Sequence, residues 1–491
     1  MEEMVYLEKE EAPMISESYE KRRHYLLNNK SLYKTALFLA WPVIIQSLLQ
    51  VSVGTVDMKM VGTLGVDAIS AVGTSRNIIM VFMVLVIAIS TGTTAMVARF
   101  VGRGDEEGAS IAAGQAFMLS LLLSAIIVPV GLLINEFSLK ILGVTDGVLS
   151  HAMDYMKIFF LAVPFFLLHF MARSIFQGAG DTKTPLYIDI MMNIVNVLGN
   201  YIFIFGMFGL PAFGVAGAAM GTALSRFISV LVSWGLLLSG KFDVKVKLRH
   251  MFKPVWDASK QIMDIGIPSG LQGLSRNATT FVMFAILART LDAEFAVPAF
   301  VIGSNLNQYA LMPGLAIGTA AATLSGMNLG AKQYDRAEAS GRATAILGAG
   351  LMFMISLVFV LFSGPFINFF LDEPNASVVR IGAVFLLVIG ISEPFHAASI
   401  ILSRTMQGAG YTKKPFQITF VSWVVIRVFL ALFLGLLLGL DSTGVWIAIS
   451  ATNMISGVWS YAVFKRGQWK KVRIYGISED ALGESDTVTS S

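Results

Sequence analysis

The chain has 491 residues, of which 55% are hydrophobic and only 14% charged. Soluble domains carry about 25% charge, so this composition excludes a water-soluble multidomain enzyme. There is no cysteine, which removes disulfides, Cys-ligated zinc, iron–sulfur clusters and thiol catalysis. The net charge is a modest +4, so the position of the basic residues matters more than their excess.

A hydrocarbon core of roughly 30 Å needs about 20 apolar residues to cross it as a helix. Twelve such runs follow in chain order, at about 36–62, 70–98, 110–134, 152–178, 185–207 and 214–240, then 258–288, 296–326, 340–366, 378–404, 415–438 and 443–465. They are numbered here as spans 1 to 12. The runs are continuous rather than short and alternating, which rules against a membrane β-barrel. The expected fold is an all-α polytopic membrane protein.

Most of the 36 lysines and arginines precede span 1 or follow an even-numbered span. Lys9, Lys21, Arg22, Arg23, Lys30 and Lys34 lie before span 1. Arg99 and Arg103 are assigned to the end of span 2, Arg173 and Lys183 to that of span 4, and Arg404, Lys413 and Lys414 to that of span 10. The stretch from Lys241 to Lys260 carries six more. The opposite loops hold only Lys140, Lys157, Arg289 and Arg380. By the positive-inside rule both termini are expected in the cytoplasm. Topology explains the basic loops, so no nucleic-acid partner is expected.

Three collinear matches divide the chain in two. Trp41-Pro42-Val43-Ile44-Ile45-Gln46 recurs as Ile267-Pro268-Ser269-Gly270-Leu271-Gln272, and Gly102-Arg103-Gly104 as Gly330-Ala331-Lys332. Gln177-Gly178-Ala179-Gly180, with Thr182, Lys183 and Pro185, recurs as Gln407-Gly408-Ala409-Gly410 with Thr412, Lys413 and Pro415. Both halves hold six spans, so the repeat is parallel. The expected organisation is a cytoplasmic tail at 1–35, an N-lobe at 36–240, a basic linker at 241–257, a C-lobe at 258–465 and a second tail at 466–491.

Polar residues inside spans are functional candidates, because a carboxylate in lipid is costly unless solvated or paired. Asp189, Asn193, Asn196 and Asn200 follow a 4, 3, 4 spacing along span 5, which makes one stripe on a helix face. Gln46, Gln50 and Asp57 share a face of span 1, and span 6 adds Thr222 and Ser225. Oxygen donors without thiols suit a hard monovalent cation or a proton. Interhelical hydrogen bonding is the competing explanation, and it is favoured for Asn193 and Ser225. In the C-lobe, Glu393 and His396 stand three residues apart on either side of Pro394, and Arg276 is the expected partner of Glu393. Asn305 and Gln308 of span 8 are candidates for a central cavity. No phosphate-cradling Gly-x-x-x-x-Gly-Lys-Ser/Thr and no His-Glu-x-x-His occurs, so neither an enzyme nor a bound cofactor is expected.

The paired six-span halves, the proline in the first span of each and the Gln-Gly-Ala-Gly-Asp-Thr-Lys-Thr-Pro motif resemble the multidrug and toxic compound extrusion (MATE) family. Val56-Asp57 followed by Met60-Val61-Gly62 extends the likeness. The resemblance implies a V-shaped, monomeric antiporter of the cell membrane. It would export amphipathic, often cationic, organic compounds in exchange for Na+ or H+. It also implies an N-lobe cation site at Asp57, Asn196, Asn200 and Thr222, which would hold a metal ion if sodium is the coupling ion. In the norfloxacin-pump branch a span 7 glutamate and a span 10 aspartate form a second site. Those positions fall on Arg276 and His396 here, so that acid site is missing. The alternative within the same superfamily is a lipid-linked oligosaccharide flippase. It needs a cationic cavity, for which Arg76, Arg226, Arg276 and Arg427 are candidates.

Overall fold

In the computed structural model, residues 17–240, 244–371 and 375–474 are described. Lys9 and Lys241 lie outside them. The described residues form helices and no strand. Spans 1 to 6 are Leu32–Gly62, Val66–Arg103, Glu106–Ile141, Asp146–Gly178, Lys183–Phe205 and Val215–Ser239. Spans 7 to 10 are Trp256–Leu287, Ala293–Gly330, Tyr334–Leu361 and Ala376–Gly408. Span 11 runs Lys413–Leu437 and span 12 Asp441–Lys465. Eleven of these are long and apolar enough to cross a membrane. Span 7 falls short because Ser269, Gln272, Ser275, Arg276, Asn277 and Thr279 dilute its apolar run. Of these, Ser269, Gln272, Ser275 and Thr279 are buried against neighbouring helices, the condition under which a polar membrane helix survives, while Asn277 is exposed.

The duplication is visible in helix length. Spans 2 and 8 each have 38 residues, spans 4 and 10 have 33, and spans 6 and 12 have 25. Each Gln-Gly-Ala-Gly motif ends a helix in the same way, with Gly180 at φ +82° and Gly410 at φ +85°. That left-handed conformation is strained for any residue with a Cβ. In the first copy Asp181 Oδ1 then accepts from the Lys183 and Thr184 amides at 3.1 and 3.0 Å, which starts span 5. The second copy has Tyr411 at this place and lacks that cap.

Apolar packing shows how the halves meet. One large core joins both lobes, with Met96, Phe176 and Ile262 in it beside Ile317, Met327 and Met406. It lies toward the end bearing Arg103, Lys183, Lys332 and Lys413, called here the basic end. Toward the other end each lobe has a core of its own, around Val61, Leu139 and Ile204 in one and Phe300, Phe385 and Trp446 in the other. The lobes therefore share an interior at one end only, which is the V shape. The seam is made by small residues. A Cβ on Gly102 would overlap the Met327 carbonyl, and one on Gly330 would overlap that of Arg99. Such glycines bring two helix backbones into contact.

The helix before span 1, the segment after span 12 and the described part of the linker all pack against the spans. A helix at Glu17–Asn28 sends Arg23 to the Val101 and Gly102 carbonyls at 2.9 and 3.1 Å, while Arg22 pairs with Asp181 at 3.2 Å. Across the seam, Arg336 donates to Leu26 O and Asn29 O at 3.2 and 2.8 Å. After span 12, Trp469 is buried against Phe464, and Arg99 of span 2 donates to Val472 O at 3.1 Å. A short helix at Leu248–Phe252 rests on span 3, where Gln115 donates to His250 O and Lys253 O at 2.8 and 3.0 Å.

Candidate functional site

Span 5 presents its polar stripe inward, as a 3.6-residue period requires. Asp189, Asn193, Asn196 and Asn200 are all buried. Asn200 Nδ2 donates to Asp57 Oδ1 at 2.6 Å, and Asn196 Nδ2 donates to Thr222 Oγ1 at 3.2 Å. The four residues implied by the family resemblance thus meet as two bonded pairs, contributed by spans 1, 5 and 6. Both amides are turned with nitrogen toward a partner. Their oxygens, Asn196 Oδ1 and Asn200 Oδ1, are buried and accept nothing. Two free acceptor oxygens beside a carboxylate are a donor set that fits a hard cation or a protonated group.

Asp57, Asn196 and Thr222, but not Asn200, line a cavity of about 180 Å³ inside the N-lobe. It reaches from Asp57 to a second carboxylate, Asp189, which faces His169 Nε2 at 3.4 Å and Arg173 Nη1 at 3.6 Å. His169 is fixed from its other side by Ser229, with Nδ1 2.8 Å from the hydroxyl. Arg226 and Arg76 border the same cavity and act electrostatically on Asp57. The Arg226 guanidinium lies over the Phe166 ring at 4.6 Å from its centroid, a cation–π contact inside the lobe. Tyr155 of span 4 also lies within electrostatic reach of Asp57. Asn193 and Ser225 line the cavity too, and the Ser225 hydroxyl donates to the Thr222 carbonyl of its own helix at 2.8 Å. Neither His169 nor Tyr155 carries a signal in the sequence, since His169 is a lone polar residue in an aromatic stretch of span 4 and Tyr155 stands among His151, Asp154 and Lys157 near its start.

The C-lobe is built differently. Glu393 is 1% exposed and His396 4%. They stand 3.7 Å apart, and no hydrogen-bond partner reaches either carboxylate oxygen or either ring nitrogen. The expected ion pair between Arg276 and Glu393 is not formed. Arg276 instead lies 5.4 Å from the Trp423 ring centroid with its Nε unbonded. Helix rotation accounts for this, because span 11 inserts Trp423 between the two groups' neighbourhoods and gives the guanidinium a π face. Arg427 covers the same ring at 3.6 Å and donates to Thr452 Oγ1 and Asn453 Oδ1 at 2.8 and 2.6 Å. Both Trp423 and Arg427 fall in a π-helical stretch, Phe420–Arg427, which the sequence pattern does not reveal. Asn305 and Gln308 are exposed on span 8 and border neither cavity.

A second cavity, about 310 Å³, lies between the lobes just above the seam. Spans 1, 2 and 4 line it from one side and spans 8 and 10 from the other. Its two guanidiniums are Arg173 and Arg404. Both were assigned from sequence to the ends of spans 4 and 10, yet they sit one or more turns inside the helices. Of the four arginines considered for a cationic cavity, Arg76 and Arg226 line the N-lobe cavity, while Arg276 and Arg427 border neither.

Comparison with known proteins agrees with this architecture. The MatE family model matches residues 42–202 and 268–433, one segment in each lobe. The probable multidrug resistance protein NorM of Thermotoga maritima is 27% identical over 471 residues, covering 95% of this chain and 96% of that one. The uncharacterized transporter YisQ of Bacillus subtilis is 27% identical over 439 residues, 88% of this chain and 94% of its own. An outward-facing multidrug resistance MATE family transporter of the MOP superfamily superposes with a TM-score of 0.84 at 22% identity, covering 94% of this chain and all of that one. With the family model spanning both six-helix lobes, the chain belongs to the MATE family of multidrug efflux transporters.

Proposed function

We propose that this protein is a cation-coupled antiporter that exports amphipathic organic compounds by alternating access. It would sit in the cell membrane with both termini cytoplasmic. The observation that carries the reading is the 2.6 Å bond from Asn200 to Asp57, with the unbonded Asn196 and Asn200 oxygens beside it. A proton or sodium ion loaded there removes the net charge of Asp57 and changes what Asn200 bonds. Spans 1 and 5 then favour another packing, and the ion's descent drives the change. An N-lobe that responds in this way transmits its movement to the seam through spans 2 and 4.

The test is uphill efflux from proteoliposomes. Asp57→Asn is expected to keep expression and melting temperature and to abolish gradient-driven efflux of a reporter dye such as ethidium. A sodium gradient at fixed pH and a pH gradient without sodium identify the ion. Wild-type efflux by the variant under both gradients would refute the proposal.

A further inference from the structure

Asn200, which bonds Asp57, follows Asp189 by eleven residues on span 5, or about 16 Å along the helix. The two carboxylates therefore stand at opposite ends of one cavity, with Asp189 nearer the basic end. Ser229 decides what the ring beside Asp189 can hold. Its oxygen lies 2.8 Å from His169 Nδ1 and 3.0 Å from the Arg226 carbonyl oxygen. A hydroxyl has one hydrogen to donate. With that hydrogen on Nδ1, the ring carries its own proton on Nε2 and points it at Asp189 Oδ1, 3.4 Å away. With the hydrogen turned to the Arg226 carbonyl, Nδ1–H donates to Ser229 instead, and a further proton lies between Nε2 and Asp189. Both arrangements give each ring nitrogen a partner, and they differ by one proton. Arg173 meets the other carboxylate oxygen at 3.6 Å. Both contacts exceed the about 2.7–2.9 Å of a tight charged hydrogen bond, so the carboxylate has slack to give or take that proton. The charges around the pair are Arg173 on span 4, Arg226 on span 6, Arg76 on span 2 and Asp57 on span 1. Farther toward the basic end, Asp181 is paired with Arg22, and Lys183 lies over the Phe38 ring. Arg404 of span 10 lines the neighbouring inter-lobe chamber, which Arg173 also borders. Three guanidiniums thus share the N-lobe cavity with two carboxylates, a positive surplus before any ion is loaded.

We infer that Asp189 and His169 form a second cation site in the N-lobe, holding one exchangeable proton, and that this proton and the ion at Asp57 oppose each other's binding. Unit charges about 16 Å apart, at an effective dielectric constant of about 20, change each other's affinity about sixfold. Arg226 stands within electrostatic reach of both acids, so neutralising either one leaves its charge to act on the other. An ion entering at Asp57 therefore promotes release of the proton held by the pair. A proton taken up by the pair in turn loosens the ion on Asp57. Because the pair lies nearer the basic end, it acts on the release step from that side. The inference rests on the proposed coupling only in taking Asp57 as the seat of the ion.

Nitrogen-15 NMR of histidine-labelled protein in lipid nanodiscs reads Nδ1 directly, because bare and protonated ring nitrogens differ widely in chemical shift. The chain has five histidines, and the His169 signal is the one missing in His169→Gln. Its Nδ1 is expected to pass from bare to protonated between about pH 8 and about pH 5. In Asp57→Asn, where one negative charge is gone for good, the same change is expected at about sixfold higher proton concentration. In Asp189→Asn it is expected to vanish from this range. The wild-type titration and Asp57→Asn decide the matter even if Asp189→Asn does not fold. No gradient is involved, so the two readings fail separately. Wild-type pumping by Asp57→Asn would sink the exporter mechanism, whereas the proton site is settled by the resonance alone. An Nδ1 that keeps one form throughout, or a transition unmoved in Asp57→Asn or in a folded Asp189→Asn, would overturn the inference.

Discussion

At the scale of single residues, the most exacting positions are those where two backbones touch. Gly330 lies against the Arg99 carbonyl and Gly102 against that of Met327, so each lobe supplies one glycine to the seam. Gly330→Ala forces the helices apart without altering any polar group. Overpacking of this kind typically costs about 1–3 kcal/mol. Its melting temperature is therefore expected to fall, whereas Gly350→Ala, with nothing near its added methyl, leaves it unchanged. Equal melting of the two variants would show that the seam yields freely. The residues around Asp57 were legible because a helical period and a family motif both mark them. His169, Tyr155, Arg173 and Arg404 were not, because their roles arise from which helix stands opposite. The Arg276–Glu393 pair failed for the same reason, as two opposite charges in one lobe say nothing about helix rotation.

Among the elements, the twelve spans were readable to within a few residues, since continuous apolar runs leave little freedom. What the pattern could not give was the behaviour of polar segments. The stretch after span 6 is basic and too short to cross a membrane, yet it is pinned to span 3. Gln115 donates to two carbonyls of the linker, and its Oε1 accepts from Val255 N and Ser259 Oγ, both at 2.9 Å. Gln115→Ala removes these four bonds at about 1 kcal/mol each at most, and a drop of several degrees in melting temperature is expected. The short linker helix at Leu248–Phe252 also carries a buried histidine. His250 is bonded to Ser110 at 2.9 Å and lies 3.0 Å from Glu107. Burial holds its pKa below the usual 6.5, against the opposing pull of Glu107. The unfolded chain thus takes up this proton first as pH falls. The stabilisation is complete above pH 6.5 and is lost as pH drops below that value through the depressed pKa. Melting curves between pH 7.5 and 5.5 should show the decline in the wild type and a shallower one in His250→Gln. Parallel curves would count against His250 as the source.

For the whole molecule, the shared core at the basic end and the separate cores at the other define where movement is possible. The far ends can swing without exposing a common interior, whereas parting the basic end uncovers one. The N-terminal helix bridges this seam, from Val101 on one lobe to Arg336 on the other. Removing residues through Asn28 is expected to increase the fraction of molecules with parted basic ends. Spin labels on cysteines introduced at Leu248 and Lys332 of the otherwise cysteine-free chain would report it as a longer distance population. An unchanged distribution in the truncated protein would refute the bridging role.

The grip of Arg99 on the Val472 carbonyl has a kinetic consequence. Parting of the basic end must release the Val472 segment from Arg99 and must break the hold of the N-terminal helix on one lobe, either at span 2 or at Arg336. Each release adds to the barrier for parting and involves no residue that lines either cavity. Turnover and affinity are therefore separable in this protein. Changes confined to its two chain ends can alter how often the pump cycles while leaving what it recognises untouched.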